Sequence, residues 1–287
     1  MITSIFKKST PINYSLLLIL ILVCFSIVQF QDTNWFNSVI EIAKKAIVFG
    51  LILGSFFLVN FICKKNGLTK DSGYPILFFF LFLLFSPTIW NNFTLIAANF
   101  FVLLALRRLV SLQTLKAPKE KIFDASLWIF VASLFQFWCI LFLIVVYASI
   151  IFHVSRDYRN WLIPFVALFT TAVIFVFYGL LIDKSAIAFY LNNITTNFQL
   201  DYFTNIYQNL ALSMFAVFAV FFVVPMLISL TNRPLNLQAS YKKLLFTFFP
   251  MAVFATNTVE FSQNKLQQEI ILVFSILLGF LALFLQL

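Results

Sequence analysis

The chain alternates between long apolar stretches and short polar segments, and the apolar stretches carry the structural signal. A helix that crosses a bilayer core needs about 20 predominantly apolar residues. The pattern predicts about ten spans, if residues 122–152 are counted as two short ones. The predicted spans are residues 14–30, 46–63, 74–90, 93–106, the two halves of 122–152, 161–182, 210–230, 244–255 and 270–287.

Residues 122–152 decide the topology of everything that follows them. As a single helix, these roughly 31 residues would be about 46 Å long. That length exceeds the bilayer core unless the helix is tilted or kinked. The alternative is a short hairpin with its turn in residues 133–138, where Gln136 is the one amide in an apolar run.

The basic residues distinguish between these two alternatives, because Lys and Arg concentrate in cytoplasmic loops. A single span would divide the 19 basic residues 12 to 7 between the two sides. The hairpin leaves only four of the 19 outside: Lys44, Lys45, Lys184 and Lys265. We therefore favour the hairpin, which places both the N-terminus and the C-terminus in the cytoplasm.

Composition assigns the chain to the membrane proteins. Apolar residues make up 62% of it and charged residues 10%, whereas a soluble domain has about 25% charged residues. The sequence predicts an all-α, polytopic helical membrane protein, with a single integral membrane domain over residues 1–287 and no soluble domain. The net charge of +9 is explained by basic cytoplasmic loops, so the lipid bilayer is the expected partner and nucleic acid is not.

Candidate chemistry is sparse. The three cysteines lie in or at the ends of apolar runs without metal-ligand spacing, and His153 is the only histidine, so no metal site is expected. No phosphate-binding glycine loop or other cofactor motif is present, and no cofactor is expected. Charged residues are nearly absent from the span centres, which argues against an ion-driven pump. His153, at a helix end, is interpreted as an interfacial residue.

Two resemblances add expectations. The opening, MITSIFKKSTPIN, and the segment IFDASLWIFVASLFQFW resemble an uncharacterised family of polytopic inner-membrane proteins from flavobacteria and related Bacteroidota. The order of parts is also similar, more distantly, to the membrane core of the GT-C glycosyltransferases: a first span, an outer loop with acidic residues, then spans that include short paired helices. The second resemblance implies an enzyme that uses a polyprenyl-phosphate sugar at the outer face.

The GT-C resemblance implies that Asp32, in the first outer loop, is the base for an acceptor hydroxyl. Glu41, nine residues further on, is a second catalytic candidate, which the resemblance itself does not imply. The chain departs from the GT-C pattern because it contains no DxD, ExD or DE pair. A solvated loop aspartate is the alternative for Asp32.

Further candidates for binding substrate or lipid lie at the hairpin tip and in the most basic loop. Gln136 and Trp138 at the tip could line an outer cavity, with ordinary interfacial packing as the alternative. Arg107 and Arg108 begin the loop at residues 107–121, which would attract anionic headgroups. Topology control alone is the alternative for this pair.

The predicted function is the assembly of cell-envelope glycans or lipid-linked sugars by a GT-C-like protein, active or degenerate. The first alternative is a non-enzymatic membrane subunit of an envelope, secretion or gliding machine, which would bury an apolar patch against another membrane protein. The second alternative is a carrier of lipids or solutes, which predicts pseudo-symmetric halves and broken helices near the bilayer midplane.

Overall fold

The structure is a computed structural model in which the described residues form helices and no β-strand. It describes residues 5–31, 38–84, 87–155, 157–181, 187–188, 190–191, 248–262 and 265–286. The α-helices are α1 (Pro11–Gln29), α2 (Val39–Lys65), α3 (Tyr74–Leu84), α4 (Phe93–Val110), α5 (Pro118–Phe135), α6 (Leu143–Val154), α7 (Arg159–Leu181), α8 (Phe248–Phe261) and α9 (Lys265–Gln286). Short 3-10 helices are formed by Pro87–Asn91, Ser111–Thr114 and Phe137–Phe142.

Six helical segments among the described residues are long and apolar enough to cross a membrane, which indicates a multi-pass membrane protein. They are Pro11–Gln29, Val39–Lys65, Phe93–Thr114, Phe137–Val154, Arg159–Leu181 and Lys265–Phe284. The predicted spans at residues 74–90 and 244–255 correspond to the shorter helices α3 and α8. The predicted span at residues 210–230 lies outside the described residues, so the count of about ten stays a prediction.

Contacts divide the chain into two compact units. Unit 1 comprises Met1–Phe93 and Asp201–Leu287, and unit 2 comprises Thr94–Leu200. The single membrane domain predicted over residues 1–287 stays a prediction.

Helix α3 is the core of unit 1. All 11 of its residues are buried, as expected for a helix that is apolar on every face. The sequence predicted a span over residues 74–90 with Pro87 near its outer end; the α-helix ends at Leu84, before Pro87, and the span itself stays a prediction. Pro87 begins a 3-10 helix, since proline lacks the N–H that would continue the α-helix. The indole Nε1 of Trp90 donates to the Leu83 carbonyl at 3.0 Å, which satisfies a carbonyl that has no helical partner.

The N-terminal segment, the loop between α2 and α3, and the end of α8 lie at one end of unit 1. The Ser9 hydroxyl donates to Asp71 at 2.6 Å, and the Lys70 backbone N–H donates to the Glu260 carboxylate at 2.8 Å. The sequence placed residues 64–73 inside and Asn257 to Glu269 outside. These contacts contradict that assignment, because the two segments touch and therefore lie on the same side.

Helix α9 starts at that end and runs towards the other. A Cβ placed on Gly279 would lie 3.1 Å from the Leu81 side chain and 3.6 Å from Leu84, at the far end of α3. This part of α9 therefore lies at the opposite end of unit 1 from Ser9, and the expectation that both termini share one side stays a prediction.

Helices α5 and α6 form the predicted hairpin in unit 2. The backbone of Gln136 is extended, with φ −140° and ψ 106°, which ends α5 within the predicted turn at residues 133–138. The Lys119 ammonium lies 3.1 Å from the Asp157 carboxylate, whereas one straight helix would separate the two residues by about 57 Å. The hairpin is confirmed, and the single long helix is excluded.

Aliphatic packing joins the two arms of the hairpin to α4. The shared buried cluster comprises Ala105, Leu109, Leu112, Ile122, Ala125, Ile129, Val146 and Ile150. Small alanines allow close approach of helices, and van der Waals packing of this kind is a main source of helix association in lipid. Towards the hairpin tip, the Phe101 ring stacks on Trp128 and on Phe135, at centroid distances of 5.5 and 5.6 Å.

Candidate functional site

An open groove of about 650 Å³ lies at the open end of the hairpin, where the first turn of α5 meets the end of α6 and the start of α7. We call it the hairpin groove. Its polar lining residues include Lys119, His153, Asp157 and Asn160, and its apolar lining residues include Leu115, Pro118 and Phe152. The groove thus has charged and apolar walls next to each other.

Lys119 and Asp157 provide one charge of each sign. Their charged groups lie 3.1 Å apart, and both side chains are about half exposed, so solvent screens the pair and it contributes little to stability. The Arg159 backbone N–H, which donates to the Asp157 carboxylate at 3.1 Å, and the Lys119 ammonium lower the pKa of Asp157. Asp157 is therefore ionised at neutral pH and gives the groove a fixed negative charge.

Asn160 is the buried polar residue of the groove, with 3% of its surface exposed. Its Nδ2 donates to the Val154 carbonyl at 2.9 Å, which fixes the amide against the end of α6. Its Oδ1 has no hydrogen-bond partner in the structure. A buried acceptor without a donor costs about 1–3 kcal/mol, and a donor bound in the groove would remove that cost.

His153 also lines the groove. Its Nδ1 lies 2.8 Å from the Ser149 carbonyl oxygen. A carbonyl only accepts hydrogen bonds, so Nδ1 carries a proton and donates to Ser149. The sequence interpretation of His153 as an interfacial residue agrees with its place at the end of a membrane-length helix.

The connection from α4 to α5 borders the groove in a strained conformation. Leu115 and Ala117 have φ values of 54° and 46°, in the left-handed region that costs a residue other than glycine about 1–2 kcal/mol. Such strain persists only where the surroundings maintain it, and it is concentrated at functional sites. The strained turn, next to Pro118, therefore supports the assignment of this end of unit 2 as a site.

The predicted catalytic residues are Asp32 and Glu41, and Glu41 is not among the described residues that line the groove. Asp32 lies outside the described residues, so its predicted role stays a prediction. Glu41 lies in the first turn of α2, and its carboxylate pairs with the Lys44 ammonium at 2.6 Å, with both side chains exposed. The pair is an ordinary contact between residues one helical turn apart.

The predicted binding residues are not among the described residues that line the groove either. Gln136 and Trp138 lie at the hairpin turn, at the opposite end of α5 and α6, and Trp138 is 43% exposed. Arg108 pairs with Asp124 at 2.9 Å, and Arg107 is half-buried on α4. The two arginines lie near the groove in sequence but do not form its walls.

Sequence reasoning did not single out Lys119, Asp157 or Asn160. The predicted hairpin could have indicated Lys119 and Asp157, because it returns residues 153–160 to the side of the membrane that holds the basic loop at 107–121. Opposite charges on those two segments would then meet. No sequence pattern distinguishes the unpaired amide oxygen of Asn160 from that of any other asparagine.

A second polar cluster lies in unit 1, around Glu260. Its carboxylate accepts hydrogen bonds from the Ser72 hydroxyl at 2.5 Å and from the Lys70 backbone N–H at 2.8 Å. One helical turn earlier, Asn257 Nδ2 donates to the Leu68 carbonyl at 3.4 Å. Burial raises the pKa of Glu260, and the hydrogen bonds from Ser72 and Lys70 oppose this rise. These contacts attach α8 to the loop between α2 and α3.

No protein-family model matches the chain, and comparisons with curated proteins and with solved structures also find no match. The resemblances to the Bacteroidota family and to the GT-C enzymes therefore stay predictions.

Proposed function

We propose that the protein is a multi-pass protein of the bacterial inner membrane that binds a phosphate-bearing lipid headgroup in the hairpin groove. We propose further that it does so in the assembly of cell-envelope glycans or lipid-linked sugars. The observation that carries the proposal is the groove itself, in which a charged wall and an apolar wall meet at the end of membrane-length helices.

The position of the groove suits a lipid headgroup. It lies where Phe137–Val154 ends and Arg159–Leu181 begins, and both segments are long enough to cross a membrane. The ends of such helices are at the level of the headgroups. Phe152 and Leu115 are 64% and 58% exposed, so they can contact the upper part of an acyl chain while Lys119 contacts the phosphate.

The charge of the surrounding segment favours phosphate. The loop at residues 107–121 is the most basic in the chain, and juxtamembrane Lys and Arg attract anionic lipids by about 1 kcal/mol each. By the same rule this side is cytoplasmic, and the N-terminus is proposed to lie there too. The contacts of α9 support placing the C-terminus on the opposite side.

If the protein is an enzyme, Asp32 remains the proposed base and a polyprenyl-phosphate sugar the proposed substrate, in a reaction of the GT-C class. The hairpin groove would then hold a lipid on the side opposite the reaction. A non-enzymatic subunit that binds another envelope membrane protein is the alternative.

A carrier of lipids or solutes is the second candidate, and one observation favours it. Helices α3 and α8 are 11 and 14 residues long, too short to cross a bilayer core, and they pack against each other inside unit 1. Short or broken helices are a feature of carriers. Transport of a headgroup-labelled lipid in proteoliposomes, compared with protein-free liposomes, would test this candidate.

Lipid binding is tested on the delipidated protein in detergent, titrated with phospholipids and followed by native mass spectrometry. Lys119→Gln is expected to weaken phospholipid binding about tenfold, the effect of losing one charge-assisted hydrogen bond. Lys44→Gln is the matched control, because Lys44 is similarly exposed and also pairs with a carboxylate, far from the groove in sequence. Equal binding by the two variants would contradict the proposal.

A further inference from the structure

We infer that the headgroup bound in the hairpin groove is zwitterionic. Its primary ammonium group donates to Asn160 Oδ1 and faces Asp157, and its phosphate forms an ion pair with Lys119. This inference rests on the proposed lipid-binding function and names its ligand class.

The groove has more acceptors than a simple anion can use. Asn160 Oδ1 is a buried acceptor without a partner, and the Asp157 carboxylate only accepts hydrogen bonds. Lys119 is the cationic donor among the described polar lining residues. A phosphate alone would contact Lys119 but would leave Asn160 unpaired and would be repelled by Asp157.

A zwitterion matches both charges of the groove at once. Lys119 and Asp157 lie side by side, 3.1 Å apart, so a ligand that carries a phosphate and an ammonium can form two ion pairs where the protein alone forms one. Hydrogen bonds with a charged partner are about twice as strong as those between neutral groups. The ionised Asp157 therefore favours an ammonium over a neutral hydroxyl at this place.

The number of N–H donors matters as much as the charge. Asn160 Oδ1 can be satisfied by a primary ammonium but not by a quaternary one, which has no N–H. Asn160 Oδ1 is buried in the structure, so a donor reaches it only after a local rearrangement of the groove. Lys119 and Phe152 are each more than half exposed, and their outer atoms have room to move.

The test compares three phospholipids with identical acyl chains on the delipidated full-length protein, by native mass spectrometry. Phosphatidylethanolamine has a primary ammonium, phosphatidylcholine has the same charge without N–H, and phosphatidylglycerol has hydroxyls and no cation. We expect phosphatidylethanolamine to bind about tenfold more tightly than phosphatidylcholine, the equivalent of one charge-assisted hydrogen bond. Equal binding of these two lipids, or tighter binding of phosphatidylglycerol, would overturn the zwitterion while leaving lipid binding intact.

Variants of Asn160 connect the preference to this side chain. Asn160→Leu is expected to bring the ratio of the affinities for phosphatidylethanolamine and phosphatidylcholine close to one. An unchanged ratio would contradict the inference, because it would mean that water, and not the ammonium group, satisfies Asn160 Oδ1. Asn257→Leu is the matched control, because Asn257 is also a buried asparagine whose Oδ1 lacks a partner. It should keep the preference.

Two further experiments address a variant that does not fold and a ligand that is soluble rather than a lipid. If Asn160→Leu does not fold, Asn160→Asp, which keeps an acceptor, must retain the preference, and its loss would contradict the inference. Soluble phosphoethanolamine should compete only at far higher concentration than the lipid, since it lacks the chain that contacts Phe152. Competition at equal concentration would identify a soluble ligand instead. If none of the three lipids binds, the proposed function itself fails.

Discussion

The ammonium of Lys119 lies 3.1 Å from the carboxylate of Asp157, although 38 residues (157 minus 119) separate them in the chain. The contact joins the first turn of α5 to the segment that follows α6, so the two helices run in opposite directions. Both side chains are about half exposed and solvent screens the pair. The ion pair therefore indicates the hairpin arrangement but stabilises it little. The buried aliphatic cluster of α4, α5 and α6 holds the helices together.

The first prediction is a crosslink between these two positions. Lys119→Cys and Asp157→Cys are introduced into a chain in which Cys24, Cys63 and Cys139 are replaced by alanine. A short bis-maleimide is expected to join the two new cysteines within one chain in native membranes, because the side chains meet. Proteolysis in the α5–α6 connection followed by denaturing electrophoresis detects the link.

The control for this crosslink pairs Lys119→Cys with Trp138→Cys, at the start and the tip of the hairpin. Helix α5 alone spans about 27 Å between these positions, so the same reagent should not join them. A crosslink from position 119 to 138 but not to 157 would mean that the hairpin is not the arrangement in the membrane.

The hairpin shows how much the sequence determined. Apolar length alone left residues 122–152 ambiguous, and the distribution of Lys and Arg resolved the ambiguity, because charge placement reports the side of the membrane directly. The turn at Gln136 could be predicted since an amide in an apolar run is costly in lipid. The six membrane-length helices follow from the same hydropathy pattern.

Features that depend on packing between distant segments could not be read from the sequence. Hydropathy did not reveal that every residue of α3 is buried in protein, because burial in protein and burial in lipid select the same apolar residues. The contact of Glu260 with Lys70 joins positions 190 residues apart, and no local pattern encodes it. The unpaired oxygen of Asn160 likewise depends on which groups surround it in the fold.

The second prediction concerns the sides on which three exposed lysines lie. Lys65 and Lys265 flank the segments that Glu260 joins, whereas Lys44 lies near the other end of α2, where Lys45 contacts Asn91 at 2.9 Å. Single cysteines at positions 65 and 265 are expected to react with a membrane-impermeant maleimide from the same side. A cysteine at position 44 should react from the opposite side.

Labelling of intact and permeabilised spheroplasts distinguishes the two sides. Each variant also lacks the three native cysteines, and total labelling after detergent serves as the control for reactivity. Labelling of positions 65 and 265 from opposite sides would support the topology with the C-terminus in the cytoplasm and would contradict the packing of α8 and α9 in unit 1.

The third prediction tests strain beside the hairpin groove. Ala117 has φ 46°, a conformation that glycine adopts without steric penalty. Ala117→Gly is therefore expected to raise the free energy of unfolding by about 1 kcal/mol, measured by thermal or denaturant unfolding in detergent. Ala105→Gly is the control, because Ala105 lies inside α4, where glycine costs about 1 kcal/mol. Destabilisation of the same size in both variants would mean that Ala117 is not strained.

The fourth prediction is a pH dependence that originates at Glu260. Burial raises the folded-state pKa of this carboxyl above its ordinary value of 4.5, so the folded protein takes up the proton at a higher pH than the unfolded chain. Stability contributed by this residue therefore increases as pH falls through the folded-state pKa, and the gain is complete below 4.5. Glu260→Gln resembles the protonated form at every pH, so wild type should gain stability relative to this variant between pH 7 and pH 4.5.

Unfolding temperatures of both proteins across this range measure the effect. Glu41→Gln is the control, because Glu41 is an exposed carboxylate in contact with Lys44, and the gain should be specific to position 260. The opposite trend, in which wild type loses stability relative to Glu260→Gln on acidification, would have a clear physical meaning. The hydrogen bonds from Ser72 and Lys70 to the ionised carboxylate would then outweigh its burial, and α8 would be held to the loop most firmly at high pH.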